Sequence, residues 1–171
     1  SGFDPVRREI AHLSLKKLIR DGRIHPGRIE EIVAKTEQEM LERIREIGEQ
    51  VCLDLGIQNI NAEMYNYIGR LQYRTSYGQN LLLHSKEVAA VSSMIASELG
   101  LDPKVAKRCG FLHDIGKAAD HEQEGPHAMI GARICKKLGE NDIVINAVGG
   151  HHQDLEAVSP FTYITAAADA V

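Results

Sequence analysis

The chain has 171 residues, 43% hydrophobic and 26% charged, which suits one globular domain with at most a small appendage; only 5% are aromatic and none is Trp, so the core has to be aliphatic and helices are favoured over sheet. Its three cysteines, Cys52, Cys109 and Cys135, are far apart and form no C-x-x-C pair, which excludes a disulfide framework or zinc ribbon and fits a reducing, cytoplasmic setting. A formal charge of -4 gives no basic excess of the kind many nucleic-acid binders carry, and no apolar run or signal-peptide pattern predicts membrane contact by this segment.

In chain order, Asp4-Pro5 is a helix start, an N-cap followed by Pro, and Val6, Ile10, Leu13 and Leu18 recur at helical spacing until Asp21-Gly22. A longer helix is predicted over 27–48, with Ile29, Ile32, Val33, Met40, Ile44 and Ile47 on its apolar stripe and Glu and Arg opposite. That stripe suits a connecting helix or one that pairs with a second copy of the chain, a homodimer being the preferred reading. Residues 53–61 read as a loop, Asn61 caps a short helix through Tyr73, and 75–78 break the chain again. Helices follow over 79–99, stopped by Gly100, from Asp102-Pro103 toward Leu112, over 126–138, over 141–148 and from Pro160 to the end. No internal repeat or alternating strand pattern is present. The predicted fold is all-α.

Six of the eight histidines fall between positions 84 and 152, three of them in His113-Asp114 and His151-His152. Imidazole and carboxylate together suit a hydrolytic divalent ion, because neutral nitrogen and anionic oxygen leave the ion Lewis-acidic enough to lower the pKa of water. In Leu112-His113-Asp114-Ile115-Gly116-Lys117, a helical turn would put His113, Asp114 and Lys117 on one side and Ile115 in the core, with Gly116 admitting a close backbone or ligand. His84 lies in a helix whose Leu81, Val88, Val91 and Ile95 face the core, and Asp169 follows a run of small residues that buries an acid in need of a partner.

The set His84, His113-Asp114, Asp169 resembles the H…HD…D signature of the HD superfamily, whose members are helical, metal-dependent phosphohydrolases, and the HDIGK context sharpens the match. Residues 1–8 (SGFDPVRR), 21–32 (DGRIHPGRIEEI), 69–80 (GRLQYRTSYGQN) and 96–106 (ASELGLDPKVA) are similar to the ribonuclease Y family in particular, and the resemblance extends over essentially the whole chain. It implies an HD-domain helical bundle with a partial KH element at the N-terminus: 1–24 the remnant of a KH RNA-binding domain, 25–60 a connecting helix and loop, and 61–171 an HD domain lacking its C-terminal part. It further implies a membrane anchor at the inner face of the cell membrane in a preceding segment, and RNA-decay proteins as partners. His84, His113, Asp114 and Asp169 would be metal ligands, and His127 and His151 resemble the positions that hold a second ion in two-metal HD proteins, with Asp114 bridging. His152 would contact the phosphate or donate a proton, and which of His151 and His152 is the ligand stays open. The ion, one or two of Mn, Zn, Fe or Mg, is not fixed by these ligands.

Several polar residues have plainer readings. Lys117 is either a solvated helix charge or the neutraliser of a phosphate, the latter preferred beside the ligand pair. Asp120, His121, Glu122 and Glu124 read as a polar loop over the site, and His12 and His25 as surface or turn residues. Arg70, Arg74 and Tyr77 line an RNA path or merely a cap and linker. The expected reaction, with Asp114, Lys117 and His152 as catalytic residues, is endonucleolytic cleavage of single-stranded RNA in mRNA turnover by metal-activated water, leaving 5′-phosphate and 3′-hydroxyl ends. The rivals are an HD phosphohydrolase of small or cyclic nucleotides and a non-catalytic, metal-stabilised dimerisation or docking module.

Overall fold

A computed structural model describes residues 4–120 and 123–171. Among the described residues the chain forms eight α-helices, two short 3-10 turns and one minimal hairpin. Helix α1 (Pro5–Asp21) starts where Asp4 Oδ1 accepts from the backbone N–H of Val6 at 2.9 Å and ends at Gly22, φ 76. Helix α2 (Pro26–Leu55) is capped by the His25 side chain, and its Ile32, Met40 and Ile44 are buried within the chain, Met40 and Ile44 in a small cluster with Val6 of α1. Ile29, Val33 and Leu41 of α2 stay partly exposed. No described helix is long and apolar enough to cross a membrane.

Helix α2 does not stop at Gly48 as the sequence predicts but continues to Leu55, so the loop expected from residue 53 begins only at Gly56, φ 69. Gly48 is a crossing point: a Cβ there would lie 2.1 Å from the Tyr65 carbonyl oxygen of helix α3 (Ala62–Arg70), and one on Gly69 of α3 would lie 1.8 Å from that of Ile44. The two backbones touch because neither residue has a side chain. After α3 a 3-10 turn (Leu71–Tyr73) leads to strands β1 (Thr75–Ser76) and β2 (Gln79–Asn80), antiparallel about Tyr77-Gly78, both at positive φ. The chain break expected there is thus a hairpin, whose two-residue strands are too short to show alternation.

Helices α4 (Leu81–Glu98) and α5 (Pro103–Leu112) follow, then a 3-10 turn (Ile115–Ala118), α6 (His127–Lys137), α7 (Asp142–Gly150) and α8 (Pro160–Asp169). Met64, Ile68, Leu71, Phe111, Leu112, Ile115, Val144 and Val148 form the centre of the main core, aliphatic apart from Phe111. Cys52, Cys109 and Cys135 are free and buried. Gly116 meets the backbone of α6, where a Cβ would come within 1.9 Å of the His127 carbonyl oxygen, and this contact sets the start of α6 on the turn that follows His113-Asp114. Arg108 of α5 makes two 2.7 Å contacts to the nearly buried Glu140 carboxylate and donates to the carbonyls of Gln58 and Asn59, fastening the 56–61 loop to the α6–α7 junction.

Candidate metal centre

Six elements deliver one cluster. His84 comes from α4, His113 caps α5, Asp114 starts the 3-10 turn, His127 opens α6, His151 and His152 follow α7, and Asp169 ends α8. On one side, Asp169 Oδ1 lies 2.8 Å from His84 Nε2 and 3.2 Å from His113 Nε2, and Asp114 Oδ2 lies 3.4 Å from His113 Nε2 and 3.9 Å from His84 Nε2. On the other, Asp114 Oδ1 lies 3.3 Å from His127 Nε2 and 3.9 Å from His151 Nε2. One carboxylate therefore presents a different oxygen to each of two histidine groups. The trios His84/His113/Asp169, His113/Asp114/His151 and His127/His151/His152 each offer ligand atoms within 4.8 Å of one another.

The donor chemistry fits a divalent cation. His113 Nδ1 and His151 Nδ1 each lie 2.7 Å from a backbone carbonyl, of Gly110 and of Val148; with Nδ1–H donating, both rings turn Nε2 inward. His113 Nε2, His127 Nε2, His151 Nε2 and Asp114 Oδ1 are buried with no hydrogen-bond partner among the described residues. Polar atoms so placed are costly unless something satisfies them, and here they face one another around a common centre.

The electrostatics show the same deficit of positive charge. Burial would lower the His113 pKa, but the carboxylates of Asp114 and Asp169 outweigh it and raise the imidazole to about 9. Burial likewise opposes ionisation of Asp114, yet His113 and Lys117 hold that carboxyl far below the usual carboxylate range. Asp169 is held low as well, chiefly by its contact with His113. Two carboxylates held ionised beside a buried imidazole make this side of the cluster favourable to a cation. In the second group burial dominates: it pushes His151 down to about 4, helped by the charge on His113, and it lowers His127 too. Neutral imidazoles with free lone pairs are the form that binds metals.

The remaining candidates divide. Lys117 Nζ sits 2.8 Å from Asp114 Oδ2, because residues three apart eclipse on a 3-10 turn, and its side chain also walls a neighbouring cleft. His152 is half-exposed at the rim, its Nε2 3.9 Å from Asp169 Oδ2 and its ring 5.1 Å from that of His127. Asp120 is exposed and lies 3.8 Å from an Arg70 nitrogen. Glu124 is exposed and accepts from Arg133 through its backbone carbonyl, while His121 and Glu122 lie outside the described residues. His12 is exposed on α1 and His25 serves as the α2 cap. Tyr77 is fully exposed at the hairpin tip, and Arg74 is half-buried with one nitrogen bonded to the Ala119 carbonyl. Sequence reasoning missed the orienting carbonyls of Gly110 and Val148, which carry no residue-type signal, and Arg8, whose place beside Lys117 is purely tertiary.

The family model described as HD domain matches residues 81–171, the stretch that carries every residue of the cluster. The chain belongs to the HD-domain family. Over all 171 residues this HD-domain chain is 57% identical to "Ribonuclease Y" of Clostridium kluyveri and 56% identical to that of Enterococcus faecalis, and it spans 33% of each relative's length. It is 54% identical to "Ribonuclease Y" of Clostridium novyi, of which it covers 34%. The chain thus spans about a third of the length of the curated relatives it matches. No solved structure matches it.

Proposed function

We propose that this HD domain is the hydrolytic centre of a metal-dependent endoribonuclease that cleaves single-stranded RNA in mRNA turnover. The observation that carries the reading is the Asp114 carboxylate, divided between the His84/His113/Asp169 group and the His127/His151 group. The resemblance to relatives named ribonuclease Y supports RNA as the substrate. In this reading His84, His113, Asp114 and Asp169 would hold one divalent ion, and His127 and His151, sharing Asp114, would hold a second; the ion would be Mn, Zn, Fe or Mg. Such ions supply Lewis acidity, which lowers the pKa of water and offsets phosphate charge.

The chain's own residues do the rest. The carbonyls of Gly110 and Val148 keep the rings of His113 and His151 in a fixed tautomer. Lys117 balances charge on Asp114 and on an incoming phosphate. His152, at the exposed rim, contacts the phosphate or gives its proton to the 3′ oxygen as the P–O3′ bond breaks. Water adds to phosphorus and the 3′ oxygen leaves, giving 5′-phosphate and 3′-hydroxyl ends. Residues 1–24 are read as the tail of a KH domain, 25–60 as the connection and 61–171 as the HD domain, with Val6 of the first packing on Met40 and Ile44 of the second. Pairing of α2 across a homodimer, contact with RNA-decay proteins and a membrane anchor in another segment complete the reading.

The test is cleavage of an end-labelled single-stranded RNA with each divalent ion, followed by end-group analysis. Cleavage should persist with deoxyribose at the scissile position and vanish in His113→Ala/Asp114→Ala. Cyclic 2′,3′-phosphate ends, or turnover confined to cyclic or dinucleoside substrates, would refute the proposal.

A further inference from the structure

A cleft of about 340 Å³ adjoins the metal centre, and three of the side chains lining it are cations: Arg8 from α1, Arg74 just before β1, and Lys117. Thr75 and Ser76 add two hydroxyls to the same wall. Lys117 marks the boundary, since its ammonium reaches Asp114 Oδ2 at 2.8 Å. Arg74 is the informative residue. Its Nη2 is used by the Ala119 carbonyl at 3.2 Å, but its buried Nε has no partner among the described residues, nor does any carboxylate there form an ion pair with it. Half-burial lowers its pKa, the mark of a guanidinium withdrawn from water without full compensation. The acids that act on it from a distance are engaged: Asp4 caps α1, and Asp120 lies against Arg70. A concave wall of fork-shaped and point-charge donors with hydroxyls suits a tetrahedral oxyanion.

We propose that this cleft is the subsite for a non-scissile backbone phosphate of bound single-stranded RNA, with Arg8 and Arg74 as its ligands and Lys117 between it and the scissile position. The inference rests on the RNA reading given above. It makes α1 part of the substrate path. Sequence-independent phosphate contacts of this kind fix the register of a strand, while the reaction takes place next door.

The subsite is read by binding in chelator, without turnover. Fluorescence anisotropy with a labelled single-stranded oligonucleotide should show roughly tenfold weaker binding for Arg8→Ala and for Arg74→Ala, and a salt slope reduced by about 0.7 for the lost phosphate contact. Arg8 is exposed, so Arg8→Ala should keep the wild-type melting curve, and Arg74→Lys should recover part of the affinity. A single neutral methylphosphonate linkage, walked along the oligonucleotide, should weaken wild-type binding at one position and lose that effect in Arg8→Ala. Unchanged affinity and slope in Arg8→Ala, with metal-dependent cleavage by the wild type intact, would overturn the subsite alone. Arg8-dependent binding without cleavage by any ion would uphold the subsite and overturn the hydrolase. No measurable binding by the wild type would overturn both.

Discussion

Asp114 is the residue shared by the two halves of the cluster, being 1% exposed and within 3.9 Å of four imidazoles, two on each carboxylate oxygen. Asp114→Asn keeps the shape and removes the charge, so metal analysis should find both ions lost, whereas His127→Ala should lose only the ion on its own side and retain the one held by His84, His113 and Asp169. Equal loss in the two variants would show that the groups are not separable. At this scale the sequence was informative about identity and silent about geometry. His113, Asp114 and Lys117 are neighbours in the chain, and their adjacency is visible in HDIGK. Lys117 turns onto Asp114 as helical spacing predicts, while the turn being 3-10 rather than α is what no residue in the motif dictates.

Among the elements, the α2–α3 crossing shows why glycines mislead a reader of sequence. Gly48 and Gly56 both look like helix stops, yet only Gly56 takes the left-handed conformation that ends α2. Gly48 stays helical and lets the backbone at Tyr65 approach. The difference lies in the partner helix, which the local pattern does not contain. Gly48→Ala, a change that raises intrinsic helix propensity, should therefore destabilise the protein by about 1–3 kcal/mol through forced separation of the two helices. Urea unfolding measures this, and a stabilised variant would show that the contact yields. By contrast, the starts of α1, α3 and α5 were legible, because Asp4, Asn61 and Asp102 cap with their own side chains, a short-range interaction that sequence alone contains. The exception is α4, whose cap Asn80 falls inside the helix predicted from residue 79, because Gln79 is taken by the hairpin.

For the molecule as a whole, the cluster concentrates two acids and several buried imidazoles at one point where a cation would satisfy them. Binding of a divalent ion to the folded state alone should raise stability by about 2.7 kcal/mol at a hundredfold excess over its dissociation constant, or roughly 5–10 °C in melting temperature for a chain of this size. Scanning calorimetry with manganese or zinc, then with chelator, checks this, and an unshifted transition would count against a site preformed in the fold. The all-α class and the aliphatic core followed from composition; the closing of α8 onto α4 did not, since it depends on chain segments 85 residues apart.

That separation has a temporal side. During synthesis at about 5–20 residues per second, His84 and His113 leave the ribosome several seconds before Asp169, whose contact with His84 joins the α4 and α8 ends of the cluster. A nascent chain therefore cannot complete the cluster, or offer a cation all of its ligands, until the last acid has emerged and docked.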